Sequence, residues 1–250
     1  PITPDATVLL AQPILWLSIA GIIYGGFTAL AQSDMKKLIA YSSVGHMGFV
    51  TLGIFVLNSR GVEGAILQMI NHGVTTGALF LLVGMLYERA HTRMIADFGG
   101  VATKMPVFTF FFLVVTLGSI GLPLTNGFVG EFLILNGTYA SGFAWGRVFA
   151  GLAVLGILLG AVYMLWMVKR VFWGPVNDDP GSGTAHLEAD LSGREIAVMV
   201  PIVLLVLWMG LRPNTFLAHS EAQVRRMLSQ VQAPPSRPAP FAAPALEVRP

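Results

Sequence analysis

LGSIGLPLTNGFVGEFLILNG, residues 117–137, decides how this chain is built. It sits inside the most apolar part of the sequence, yet it carries Pro123, Asn126 and Glu131. The apolar run from Val107 to Leu135 would make about 43 Å of straight helix at 1.5 Å per residue, against a hydrocarbon core of roughly 30 Å. A single straight helix is a poor fit. Gly121 and Pro123 lower helix propensity and remove a backbone donor, Asn126 and Gly127 favour turn conformations, and FVGEFLIL then resumes a helical pattern. The stretch predicts a discontinuous helix. Its freed amides and carbonyls are tolerated in a membrane only where they face protein or a water-filled cavity.

The rest of the chain agrees with a membrane setting. Of 250 residues 54% are hydrophobic and 11% charged, where a soluble domain carries roughly 25% charge. The net charge of +2 comes from few charged residues, so no basic patch argues for nucleic acid. The absence of cysteine removes disulfides, thiolate metal sites, iron–sulfur ligation and a cysteine nucleophile. The opening PITPDATVLL has no initiator Met, basic leader or cleavage site, and reads as the later part of something longer.

A ruler of about 20 apolar residues predicts an all-α membrane protein of about six spans, at 8–31, 38–57, 65–87, 107–135, 148–168 and 196–211. The connections hold nearly all the charge, as expected when charge at the bilayer centre is costly. On one face lie Lys36, Lys37, Arg89, Arg93, Lys104, Lys169, Arg170 and Arg194, and on the other only Arg60 and Arg147 among the short connections. The first face should be cytoplasmic, with both ends of the chain outside. Residues 212–231 predict an amphipathic surface helix with Phe216, Leu217, Val224 and Leu228 on one side. The Pro- and Ala-rich tail 232–250 predicts disorder. Small-residue pairs Gly21/Gly25, Gly73/Gly77 and Gly156/Gly160 predict close helix packing.

Polar residues inside the spans are the candidates for chemistry. Glu131 lies near the N-terminal end of the second half-helix, where the partial positive charge favours an anion. It is either an intramembrane acid that exchanges protons or a cap on the free amides. In ILQMINHGVTTGALF, Gln68, His72, Thr75 and Thr76 form one polar stripe. In AYSSVGHMGF, Tyr41, Ser42, Ser43 and His46 form a second. Each stripe can hold waters against a histidine, or can satisfy a neutral histidine by a hydroxyl across a helix interface. Lys36 and Lys37 sit where snorkelling would place them. His91 in ERAHTR has charged loop neighbours and reads as solvated or as a subunit contact. No phosphate-binding loop, dinucleotide fingerprint, zinc-protease motif or nucleophile elbow is present, and no His/carboxylate cluster is spaced for a metal. A haem held between His46 and His72 remains a conceivable cofactor.

DMKKLIAYSSVGHMGFV (34–50), GAILQMINHGVTTGALFLLVGMLYERAHTR (64–93) and GLPLTNGFVGEFLILNG (121–137) resemble the antiporter-like subunits of bacterial NADH-quinone oxidoreductase, respiratory complex I, and among them the M type. The resemblance runs from about residue 8 to about 211. Glutamate at 131 discriminates, since the sister L and N types carry lysine at the matching site, and the ERAHTR loop fits the M type as well. The resemblance implies a 14-helix subunit of two inverted five-helix repeats, each with a broken helix, of which this chain is the last six helices. It implies that His46 and His72 belong to a central hydrophilic axis and that Glu131 ends a proton channel. The family's earlier glutamate, broken-helix lysine and bridging lysine would lie upstream of Pro1, so this chain holds the exit half of the route. It further implies a multi-pass protein of the bacterial inner membrane beside L-type and N-type neighbours. No cofactor is expected in this chain, with NADH, FMN, iron–sulfur clusters and quinone in partner subunits.

The physics of such a route is simple. Two charges about 10 Å apart interact by about 1.7 kcal/mol at an effective dielectric of 20, so a charge arriving at one site can expel or recruit a proton at the next. Driving one charge against 100 mV needs about 2.3 kcal/mol. The same helices also suit a subunit of a multi-chain sodium/proton antiporter or a membrane-bound hydrogenase. A purely structural anchor is the third reading.

Overall fold

The computed structural model describes residues 3–232, and the regular structure in that range is helical. In chain order the α-helices are α1 (Pro4–Leu30), α2 (Met35–Phe55), α3 (Ser59–Ala90), α4 (Val101–Lys104), α5 (Pro106–Ser119), α6 (Asn126–Tyr139), α7 (Gly146–Phe172), α8 (Gly193–Leu211) and α9 (Asn214–Gln232). Helices α1, α2, α3, α7 and α8 are each long and apolar enough to cross a bilayer. The remaining crossing is made by α5 and α6 in succession, 14 residues each, or about 21 Å apiece. Neither half spans alone.

Several boundaries differ from the hydropathy reading because capping groups set them. The third span, expected at 65–87, extends over Ser59–Ala90: Asn58 accepts the Gly61 amide at 2.9 Å at its start, and His91, with φ of 55°, closes its end in the left-handed conformation. Pro4 opens the first helix at a position where its missing amide costs nothing. Asp34 starts α2 by accepting the amides of Lys36 and Lys37 at 2.7 and 3.2 Å. The amphipathic segment is helical over Asn214–Gln232, with Val224 and Leu228 buried beside Val62 at the start of α3. Residues 233–250 of the expected tail lie outside the described residues.

The break in the fourth span spans 120–125 and corrects one detail of the sequence reading. Gly121 takes φ of 73° and Leu124 φ of 77°, a region that glycine enters freely and leucine enters at a cost of about 1–2 kcal/mol. Pro123 is exposed within the break. Asn126 and Gly127 are not turn residues but the first two of α6. Gly127 is small for another reason: a Cβ there would collide with the Gly118 carbonyl, so its lack of a side chain lets α6 start against the end of α5.

The three basic connections meet at one end of the bundle. Arg89 binds Glu195 through both carboxylate oxygens at 2.8 and 2.7 Å, and Glu195 closes a capping box with Ser192 at the start of α8. Asp190 accepts the Val107 and Phe108 amides at 2.7 and 3.0 Å, capping α5 from a distant loop. Arg93 lies 3.6 Å from Asp34 and Lys104 3.0 Å from Asp178. Of the small-residue pairs, Gly25 packs on α2 and Gly156 on Ile22 of α1, whereas Gly73 and Gly77 face no other side chain within 4 Å. That pair does not pack helices among the described residues.

Replacing Gly127 with Ala should destabilise the protein by about 1–3 kcal/mol through overpacking. Gly151→Ala on the open face of α7, where a Cβ meets nothing within 4 Å, should be neutral or stabilising by up to about 1 kcal/mol. Thermal unfolding in detergent checks the contrast.

Candidate functional site

Glu131 reaches its neighbours because α3 and α6 cross without intervening side chains. A Cβ on Gly64 would stand 2.8 Å from the Ile134 amide and 2.9 Å from the Gly130 carbonyl, so the two backbones nearly touch. One and a half turns into α6, Glu131 is 4% exposed. Its Oε1 accepts a hydrogen bond from Gln68 Nε2 at 3.2 Å and lies 3.5 Å from Nδ1 of His46, without hydrogen-bond alignment to it. Its Oε2 lies against Gly121, where a Cβ would come within 2.6 Å. The break in the helix therefore closes directly over the carboxyl group.

His46 faces His72 across α2 and α3, with ring centroids 5.2 Å apart. His72 Nδ1 pairs with Thr76 Oγ1 at 3.0 Å. Beside His46 and Glu131 lies a cavity of about 20 Å³, whose other polar walls are Ser119 and Tyr163. Its volume suits about one water molecule. The two imidazoles touch each other directly, leaving no plane between them for a porphyrin.

The structure splits the predicted α3 stripe in two. Gln68 and Thr75 are buried on the side facing the broken helix, together with Asn71, while His72 and Thr76 are turned towards α2. Asn71 was absent from the sequence reading, and it ties the site together: its Nδ2 donates to the Asn126 carbonyl at 2.7 Å and lies 3.4 Å from Gln68 Oε1. Asn126 Nδ2 in turn donates to the Asn71 carbonyl at 3.4 Å. The signal for Asn71 was its spacing of three from Gln68, one helical turn along the same face. Tyr163 and Ser119 were missed because a lone hydroxyl in an apolar helix carries no pattern. Ser42 and Ser43 both bond back to the Ile39 carbonyl, at 2.7 and 3.3 Å. Tyr41 is 40% exposed. Lys36 and Lys37 are exposed at the first turn of α2, and Lys36 is ten residues, about 15 Å of helix, from His46. The structure does not bring them to the acid. No side-chain contact caps the α6 start, and Glu131 bonds Gln68 rather than backbone amides.

The sequence profile described as "NADH:quinone oxidoreductase/Mrp antiporter, TM" matches residues 2–164. The chain belongs to this family. It is 46% identical over 228 residues to NADH-quinone oxidoreductase subunit M of Rickettsia bellii, covering 91% of this chain and 44% of that protein. It is 43% identical to NADH-ubiquinone oxidoreductase chain 4 of Marchantia polymorpha, covering 91% and 44%. Among solved structures, respiratory complex I of Thermus thermophilus with bound NADH contains a chain that superposes with a TM-score of 0.82 at 32% identity, over 92% of this chain and 47% of that one. A chain of the Mrp complex of Dietzia shares the fold, with a TM-score of 0.78 at 18% identity over 92% of this chain and 50% of that one. The chain thus spans a little under half the length of the curated relatives. The fold is that of the antiporter-like membrane subunits, with one broken helix.

The strained break gives a prediction of opposite signs at two positions. Gly121→Ala should cost at least about 1–2 kcal/mol, because the new Cβ also meets Glu131. Leu124→Gly should gain up to about 1 kcal/mol by relieving a left-handed leucine whose side chain is 66% exposed. Chemical denaturation of the two variants measures both.

Proposed function

We propose that this chain is the C-terminal half of an M-type antiporter-like subunit of a respiratory NADH-quinone oxidoreductase, and that it carries protons along the line His72, His46, Glu131. The observation that carries this reading is the unbroken contact inside membrane helices: rings 5.2 Å apart, then a carboxylate 3.5 Å from the second ring. The M-type relatives support the choice of machine, since the chain is 46% identical to one of them.

Two positive charges 5.2 Å apart repel by about 3 kcal/mol at an effective dielectric of 20, so the histidine pair holds one excess proton at a time. A proton entering at His72 therefore displaces one from His46. Glu131 receives it, either directly or through the single water that the adjoining cavity accommodates. Thr76 fixes the ring of His72 from behind, and Gln68 holds the acid in reach of His46. Electron transfer supplies the energy from elsewhere: NADH, FMN, iron–sulfur clusters and quinone belong to partner subunits, and this chain contributes no redox centre. Its neighbours are the L-type and N-type membrane subunits. The basic end of the bundle, with Arg89, Arg93 and Lys104, faces the cytoplasm of a bacterial inner membrane, which places both ends of the described chain on the outer side.

Glu131→Gln, introduced into the whole complex, should depress proton translocation per electron pair while assembly stays intact. Proton pumping measured in membrane vesicles decides it, and unchanged pumping with a folded variant contradicts the role given to Glu131.

A further inference from the structure

Glu131 has two carboxyl oxygens, and the structure distinguishes them. A backbone carbonyl can only accept a hydrogen bond, so the 2.7 Å contact between the Asn126 carbonyl and the Asn71 side chain must be made by the Asn71 NH₂. That settles which way the Asn71 amide points. Its NH₂ is also the group 3.4 Å from the Gln68 side chain, which must present its oxygen there. Gln68 is then left with its NH₂ towards Glu131 Oε1, at 3.2 Å. Gly130 lets both amides lie flat on α6, because a Cβ at that position would collide with Gln68 Oε1 and stand 3.2 Å from Asn71 Nδ2. All four residues, Gln68, Asn71, Asn126 and Glu131, are at most 4% exposed, so water does not compete for these orientations.

We propose that this chain of amides makes Oε1 a permanent acceptor and assigns the transferable proton of Glu131 to Oε2, with Asn71 as a positioning residue that never touches the acid. A proton on Oε1 would point at an NH₂ group, donor against donor. Oε2 has no such opponent: it lies beside Gly121, and Glu131 borders the cavity shared with His46, Ser119 and Tyr163. The groups facing the carboxyl from the packed helices are His46 from α2, Gln68 from α3, Gly121 and Ser119 from the end of α5 and the break, and Tyr163 from α7. Exchange with His46 then runs through the water-sized cavity to Oε2 and not across the short 3.5 Å approach to Oε1. In that step the N–H bond of protonated His46 breaks as a water O–H bond forms, the water passes another of its protons to Oε2, and no electrons change hands. The route rests on the proton-transfer reading given above, whereas the orientation of the amides does not.

The test is infrared difference spectroscopy of the whole protein in its membrane after a pH step, with Glu131→Gln used to assign the carbonyl stretch of the neutral acid. When the proton is on Oε2, Oε1 is the carbonyl oxygen and accepts from Gln68, so Gln68→Leu should shift the band to higher frequency. Asn71→Leu should shift it the same way although Asn71 makes no contact with Glu131, since the freed Gln68 amide can turn its oxygen to the acid. An unmoved band in Asn71→Leu, with the Gln68→Leu shift present, overturns the positioning role. No shift in either variant overturns the assignment of Oε1. Should Asn71→Leu fail to accumulate, a hydrogen-resolving map of the unaltered protein reads the orientation directly, and a Gln68 oxygen facing Glu131 overturns the proposal. The band is read at rest, so its outcome is independent of whether the complex pumps through this chain.

Discussion

The hydrogen bond from the Asn71 side chain to the Asn126 carbonyl is the contact on which the rest of the site depends. A helix interrupted in mid-membrane leaves backbone groups without partners, and each one that stays unpaired when buried costs about 1–3 kcal/mol. Here the break satisfies itself with short turns: the Leu122 amide reaches the Leu117 carbonyl and the Thr125 amide the Leu122 carbonyl, both at 3.0 Å. The first residue of the second half-helix is then tied to α3 from both sides, through Asn71 and Asn126. That fixes where α6 begins, and so where its sixth residue, Glu131, must be. An acid placed by a continuous helix of this length could not lie both in the membrane interior and under a fold of backbone.

Around that contact the bundle divides into two kinds of structure. At the basic end, ion pairs and caps bind loops to helix termini: Arg89 to Glu195, Asp190 to the start of α5, Asp34 to the start of α2. These contacts hold α3, α5 and α8 in register. In the middle of the membrane the contacts are few and polar, and His46 Nδ1, Asn71 Oδ1, Asn126 Oδ1 and Thr116 Oγ1 have no hydrogen-bond partner among the described residues. A rigid frame around an incompletely paired polar line is what stepwise proton movement needs: the groups stay at fixed distances while their hydrogen bonds are free to rearrange.

Much of this was legible in the residues. Length against bilayer thickness revealed the broken helix, and the histidines and Glu131 stood out because ionisable groups are rare among apolar ones. Less legible was everything that depends on which neighbour a side chain meets. Asn126 and Gly127 carry turn chemistry in isolation, but here they open a helix, because α5 ends close enough for its Gly118 carbonyl to exclude any Cβ at 127. Gly73 and Gly77 have the spacing of a packing motif, yet no described helix lies on that face. Gln68, His72, Thr75 and Thr76 count as one stripe on paper, and the roughly 100° turn per residue divides them between two partners. Tyr163 emerged only when α7 was laid against α2 and α6. The lysines at 36 and 37 sit in the first turn of α2, at the helix end where snorkelling would place them.

The most direct test of the central claim, that His72, His46 and Glu131 form one connected line closed over by the break at Gly121, is a map of the whole protein in lipid at a resolution that places waters. Glu131 bonded to Gln68, His46 packed at a tilt against His72, and a single water in the cavity beside His46, Glu131 and Tyr163 are the expected features. A dry cavity, or a Glu131 side chain turned away from both Gln68 and His46, would contradict it.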